Sequence, residues 1–149
     1  MTMEEPSTAE AGGYDVTQQI GHLLRKAYQR HLAIFHDRLA HYQLTSAQFV
    51  TLCILRDQGA SSQVDLVRAT AVDQATIRGV VDRLKRRGLI ALKRDGADAR
   101  KIVISLTTTG SQLLEATIPE AHGVTQATVE DLNPAERLAL DYLLRKLSP

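Results

Sequence analysis

Residues 62 to 88, "SQVDLVRATAVDQATIRGVVDRLKRRG", hold two short helix-forming runs separated only by Ala71, Val72 and Asp73. Ser62 stands before the first run and Asp73 before the second, each able to accept from the free N–H groups of a first helical turn. Gly88 follows the second run, where a chain leaves a helix most readily. Two helices joined so tightly predict a helix-turn-helix. Directly after it, "LIALKR" and "KIVISL" are two β-type runs separated by "DGADAR", which predicts a hairpin with its turn centred near Asp95 and Gly96. A winged helix-turn-helix over 45 to 106 is the consequence.

The flanks are helical. From Tyr14 to Tyr42, Ile20, Leu24, Ala27, His31, Ile34 and Arg38 fall on one stripe, widened by Leu23 and Phe35. Thr45 with Gln48 forms a capping box for a second helix reaching about Arg56, and Leu44 with Phe49 makes a hydrophobic staple. Thr107 starts a fifth helix in which Pro119 and Gly123 predict a kink or a break. Asn133, Pro134 and Glu136 start a sixth, whose Leu138, Leu143, Leu144 and Leu147 form an apolar side. The fold class expected is mainly α with a small β-hairpin wing, with helices over 14 to 44 and 107 to 149 surrounding the wing-bearing lobe. Residues 1 to 13 combine acid, Pro, Ser and Gly without periodicity and are expected to be a disordered tail.

Charge says what the lobe is for. The formal net charge of the 149 residues is only +1. Residues 68 to 101 nevertheless hold ten Lys or Arg against four Asp, a local +6, while the remainder hold eight against thirteen acids, −5. An excess confined to one helix and one hairpin points to a polyanion rather than to a generally solvated face. On the fourth helix, Ile77, Val80, Val81 and Leu84 form the buried stripe. Ala75, Gly79, Asp82 and Arg86 lie opposite, flanked by Gln74, Thr76, Arg78 and Arg83. Gly79 either lets this face lie close to a surface or packs against another helix. Gln74, Thr76 and Arg78 suit base edges and phosphates.

The stretches "DQATIRGVVDRLKRRGLI" and "DGADARKIVISLTTTG" resemble the MarR family of winged-helix transcription regulators: a recognition helix, "DRL", "GLI", a wing with Asp-x-Arg, and Leu-Thr-x-x-Gly. The resemblance implies a homodimer in which the first and the last two helices interlock, each lobe entering one major groove of a pseudo-palindromic duplex. It places Gln74, Thr76 and Arg78 at recognition-helix positions and Asp98 and Arg100 at the wing pair. The proline that many family wings carry is absent.

Independently of the family, Arg100 at a hairpin tip suits the negative potential of a narrow minor groove. Asp98, two residues away, is expected to hold it in a fixed rotamer. Lys93, Arg94 and Lys101 are assigned to phosphates, with Arg86 completing the DNA-binding set.

His31 sits in the middle of the first helix's apolar stripe, either as a satisfied core residue or as a ligand group in a pocket. In the family, aromatic or phenolic carboxylates bind between the dimer helices and the lobe. A branch sensing protocatechuate-type and hydroxynicotinate-type acids carries an arginine six residues before a histidine, the spacing of Arg25 and His31. Tyr28, Phe49 and Cys53 are either lining residues of the same pocket or ordinary core.

Other chemistries are disfavoured. His31, His36 and His41 recur every five residues, about 140° apart on a helix, which scatters them rather than building a metal site. One family branch senses peroxide through a cysteine in its first helix, whereas Cys53 lies in the apolar "FVTLCILR" of the second. There is no phosphate-cradling loop and no nucleophile beside a base, so no enzyme, cofactor or metal is expected. One cysteine, no signal-like segment and no membrane span imply a cytoplasmic chain. The function expected is a DNA-binding repressor released by a small aromatic acid; the alternatives are a cysteine-based redox sensor and a winged helix that binds protein.

Overall fold

The computed structural model describes residues 13 to 149; the tail expected over 1 to 13 lies outside these apart from Gly13. Among the described residues six α-helices and one antiparallel hairpin run in the order α1 (Ile20–Leu39), α2 (Ser46–Gln58), α3 (Gln63–Thr70), α4 (Gln74–Arg86), β1 (Ile90–Arg94), β2 (Ile102–Leu106), α5 (Thr108–Thr128) and α6 (Pro134–Leu147). Short 3-10 turns at Val16–Gln18 and Ala40–Tyr42 flank α1.

Local chemistry sets the boundaries. Thr45 with Gln48, Ser62 with Asp65, and Asn133 with Glu136 each form a reciprocal capping box. Asp73 caps α4 through the N–H of Thr76. At the other end of α4, the N–H of Leu89 reaches the Leu84 carbonyl and that of Gly88 the Lys85 carbonyl, both at 3.0 Å. Gly88 is left-handed, at φ 69°. This double bond stops the helix and turns Leu89 and Ile90 into the core. Between α3 and α4, Ala71 takes the left-handed conformation at φ 57°, an unusual site for a residue with a Cβ.

The core of the lobe gathers Leu52, Leu55, Leu66, Ile77, Val80, Leu84, Leu89, Ile90 and Ile104. Each such side chain contributes about 1.5–3 kcal/mol by leaving water. In the hairpin, Ile90 pairs with Leu106 and Arg94 with Ile102. Ser61 bridges Ile104 from the far side of β2, tying the wing to the entrance of α3. The "LTTTG" motif closes the hairpin onto α4: the Thr107 hydroxyl donates to Gly88 at 2.7 Å and the Thr107 N–H to Leu89 at 3.1 Å. A Cβ on Gly110 would run into the carbonyl of Leu89, so only glycine fits there.

Two sequence expectations are corrected. Of the kink or break expected in the fifth helix, the break is ruled out: α5 is continuous through Pro119 and Gly123. Proline removes a single N–H from the ladder, and the helix is held against α1 beyond it, where Phe35, Leu39 and Val124 form a second cluster. At Gly123 a Cβ would meet only the mobile end of the Arg38 side chain, at 2.9 Å. The hairpin turn is not centred near Asp95 and Gly96 either, but near Asp98. The strands end at Arg94 and resume at Ile102, and the left-handed glycines are Gly59 and Gly88, not Gly96.

The apolar stripe of α1 divides in two. Phe35 and Leu39 are buried, while Ile20, Leu23, Leu24 and Tyr28 are exposed, Ile20 at 66%. All of α6 is exposed too, with Leu138 at 73% and Leu147 at 65%. Apolar surface of this extent needs a covering surface.

Candidate nucleic-acid interface and effector cleft

The solvent face of α4 carries the side chains expected of it. Gln74, Ala75, Thr76, Arg78, Asp82, Arg83 and Arg86 are exposed, and Gly79 is half-buried. A Cβ on Gly79 would meet only the Arg83 guanidinium, at 3.7 Å, so helix packing within the chain does not account for this glycine. Two members of the set are already engaged. The Thr76 N–H at 2.9 Å, and then its hydroxyl at 2.7 Å, donate to the Asp73 carboxyl and hold it below the usual carboxylate range. Arg86 lies 3.9 Å from Asp82, an exposed pair of little energetic weight that a phosphate can displace.

The wing is a seven-residue loop, Asp95 to Lys101, shaped by its own acids. The Asp95 N–H donates to the Lys101 carbonyl at 2.7 Å and closes the loop. The Asp95 carboxylate accepts from the Ala97 N–H at 3.1 Å, and the Asp98 carboxylate from the Arg100 N–H at 3.0 Å. These are two successive Asx turns. Asp98 therefore positions Arg100 through the main chain rather than by gripping its side chain. Among the described residues no ion pair joins the Arg100 guanidinium to a carboxylate, a correction of the rotamer-holding role expected for Asp98. Arg94 is folded back, donating to the Ala99 carbonyl at 3.2 Å. Lys93, Arg100 and Lys101 are exposed.

Sequence reasoning missed Arg87. Its guanidinium donates to the carbonyls of Gln43 at 2.6 Å and Tyr42 at 3.1 Å, tying the end of α4 to the turn that follows α1. The partners lie some forty residues upstream, and no local pattern connects them.

A second site lies between α1, α2 and α5. A cleft of about 190 Å³ is lined by His31, Phe35, Ser46, Phe49, Val50, Ala121, Val124 and Thr125. A neighbouring cleft of about 240 Å³ shares Phe49, Ala121 and Thr125 and adds Cys53, Ile118 and His122. The rings of Phe35 and Phe49 stand 5.6 Å apart and tilted by 55°, giving aromatic walls. His31 is half-buried, lies 2.9 Å from Thr128 Oγ1 through Nδ1, and lines the cleft. Burial pushes its pKa down, so the ring is neutral near pH 7.

The remaining expected cleft residues divide. Phe49 lines both clefts. Tyr28 stacks on His31 at 6.1 Å but is largely exposed. Arg25 is exposed on the uncovered half of α1 and does not line the cleft within this chain. Cys53 reaches the second cleft only, and burial pushes its thiol up, more than the nearby Arg56 offsets. The α5 residues of the lining had no sequence signal, because their approach to α1 is set by the tertiary fold.

The chain resembles known proteins along most of its length. The profile of the MarR family matches residues 44–102. The HTH-type transcriptional repressor NicR of Pseudomonas putida is 58% identical over 134 residues, which is 90% of this chain and 85% of that protein. The structure of Bordetella bronchiseptica BpsR, whose DNA binding is regulated by 6-hydroxynicotinic acid, superposes with a TM-score of 0.86 at 57% identity, covering 92% of this chain and 98% of that one. A mutant MarR from Escherichia coli complexed with operator DNA is similar at a TM-score of 0.82 and 26% identity, covering 91% and 100%.

Proposed function

Since the chain belongs to the MarR family of DNA-binding transcriptional regulators, we propose that it is a homodimeric repressor that leaves its operator when a hydroxylated aromatic acid enters the α1–α2–α5 cleft. The observation that carries the DNA half is the local +6 of residues 68 to 101, displayed on the solvent face of α4 and on the wing. Gln74, Thr76, Arg78 and Arg86 face the major groove. Arg100 enters the minor groove with its main chain held by Asp98, and Lys93, Arg94 and Lys101 meet phosphates.

The dimer forms through the regions 14–44 and 107–149, using the uncovered faces of α1 and α6, and the lobe 45–106 projects from it. It acts in the cytoplasm, where its duplex is; among the described residues no helix is long and apolar enough to cross a membrane.

The effector half rests on the cleft: aromatic walls, a neutral imidazole, and a volume suited to one small ring. The relative regulated by 6-hydroxynicotinic acid suggests the probe. The effector acts by binding more tightly to a conformer whose two recognition helices are misplaced for half-sites about one helical turn, roughly 34 Å, apart. A redox mechanism is disfavoured because the raised pKa of Cys53 keeps the thiol protonated and poorly nucleophilic.

The test is a gel-shift titration with duplex from upstream of the gene itself, repeated between about 50 and 200 mM salt. Steep salt dependence, and release by 6-hydroxynicotinic acid, are the expected results. Salt-insensitive or absent binding would favour a protein-binding winged helix, and release by peroxide but not by the acid would favour the thiol.

A further inference from the structure

The imidazole of His31 is held in a way that decides what it can recognise. Thr128 Oγ1 makes two contacts: its hydroxyl donates to the Val124 carbonyl at 2.8 Å, and it lies 2.9 Å from Nδ1 of His31. A hydroxyl has a single proton, and the Val124 carbonyl can only accept. Both contacts are hydrogen bonds only if Nδ1 carries a proton and donates to Thr128. Nε2 then holds a lone pair and has no protein partner among the described residues. Thr128 is itself fixed: the Arg30 guanidinium holds its carbonyl at 2.6 Å and lies 3.9 Å from the Glu130 carboxylate. Burial pushes the pKa of the ring down and so favours a neutral imidazole, the choice of tautomer being left to the Thr128 contact.

Resting on the effector reading above, we propose that Thr128 is a positioning residue that locks His31 as its Nδ1–H tautomer, so that the cleft selects aromatic acids carrying an O–H or N–H donor on the ring. The acceptor is Nε2. A ring donor satisfies it, whereas a carboxylate, which can only accept when ionised, opposes its lone pair. A hydroxypyridine acid qualifies in either tautomer, since the hydroxyl form offers O–H and the lactam form offers ring N–H. The unsubstituted acid offers neither, and its occupancy would leave Nε2 without a partner.

The test uses the full-length protein and has two independent readouts. Long-range proton–nitrogen NMR of the ring reports the tautomer without any ligand. His31 is expected as Nδ1–H in the wild type and in Thr128→Ser, and as a mixture or as Nε2–H in Thr128→Val. Calorimetry then compares 6-hydroxynicotinic acid with nicotinic acid. The wild type and Thr128→Ser should prefer the hydroxylated acid by about tenfold, and Thr128→Val should lose most of that ratio while still binding operator.

An Nε2–H tautomer in the wild type overturns the proposal, as does an undiminished preference in operator-competent Thr128→Val. Should Thr128→Val fail to fold, the wild-type tautomer and the ligand ratio of Thr128→Ser still decide it. If the wild type binds neither acid, the effector reading and the selectivity drawn from it both fail, while the tautomer lock is judged by NMR alone.

Discussion

Asp98 and Arg100 are two residues apart, and the bond between them runs through the peptide N–H rather than the guanidinium. An asparagine can make the same bond, so Asp98→Asn should retain operator affinity, or raise it by removing an acid near phosphates, while Asp98→Ala loosens the loop and weakens binding. Anisotropy titrations of the two variants distinguish this from an ion-pair role, under which Asn would fail like Ala. Arg100→Ala should cost about 1–3 kcal/mol and flatten discrimination between sequences. Lys93→Ala should weaken all duplexes alike and lower the salt slope by about 1. The residue types of the wing were legible in the sequence, because basic chemistry reads directly from composition. The use of Asp98 was not, since seven loop residues jointly decide which donor its carboxylate meets. Thr128 was invisible for a simpler reason: its partner His31 lies 97 positions away.

At the level of elements, the helix starts were legible because capping is local. Thr45 with Gln48 and Asn133 with Glu136 announce themselves at a spacing of three and recur as bonds in the structure. Pro119 misled for the converse reason: its helix is held by contacts with α1 that no window of α5 contains. The same dependence on neighbours gives Gly110 its weight. Gly110→Ala forces the start of α5 away from the Leu89 carbonyl. It should destabilise the lobe by about 1–3 kcal/mol, read as a lower denaturant midpoint with an unchanged slope. Operator affinity should fall with it, because the hairpin and the end of α4 share that junction through Thr107.

For the whole molecule, one chain leaves its longest apolar faces uncovered, and the sequence could suggest the covering surface only through family resemblance. Leu143→Glu places a charge on the exposed apolar side of α6, where it would be buried in the dimer without a partner. Sedimentation should show a monomer that keeps its helical content and no longer shifts operator DNA; a stable, DNA-binding dimer would relocate the interface. The continuity of α5 matters at this scale too. Its N-terminal turn is pinned to the junction of α4 and β1 at Thr107 and Gly110, and its last residue to His31. A rod of 21 residues is about 30 Å long, so a tilt of about 5° pivoting at either end would carry the other roughly 3 Å. An unbroken helix is in that sense a lever, because the chain between its two held ends is helical throughout.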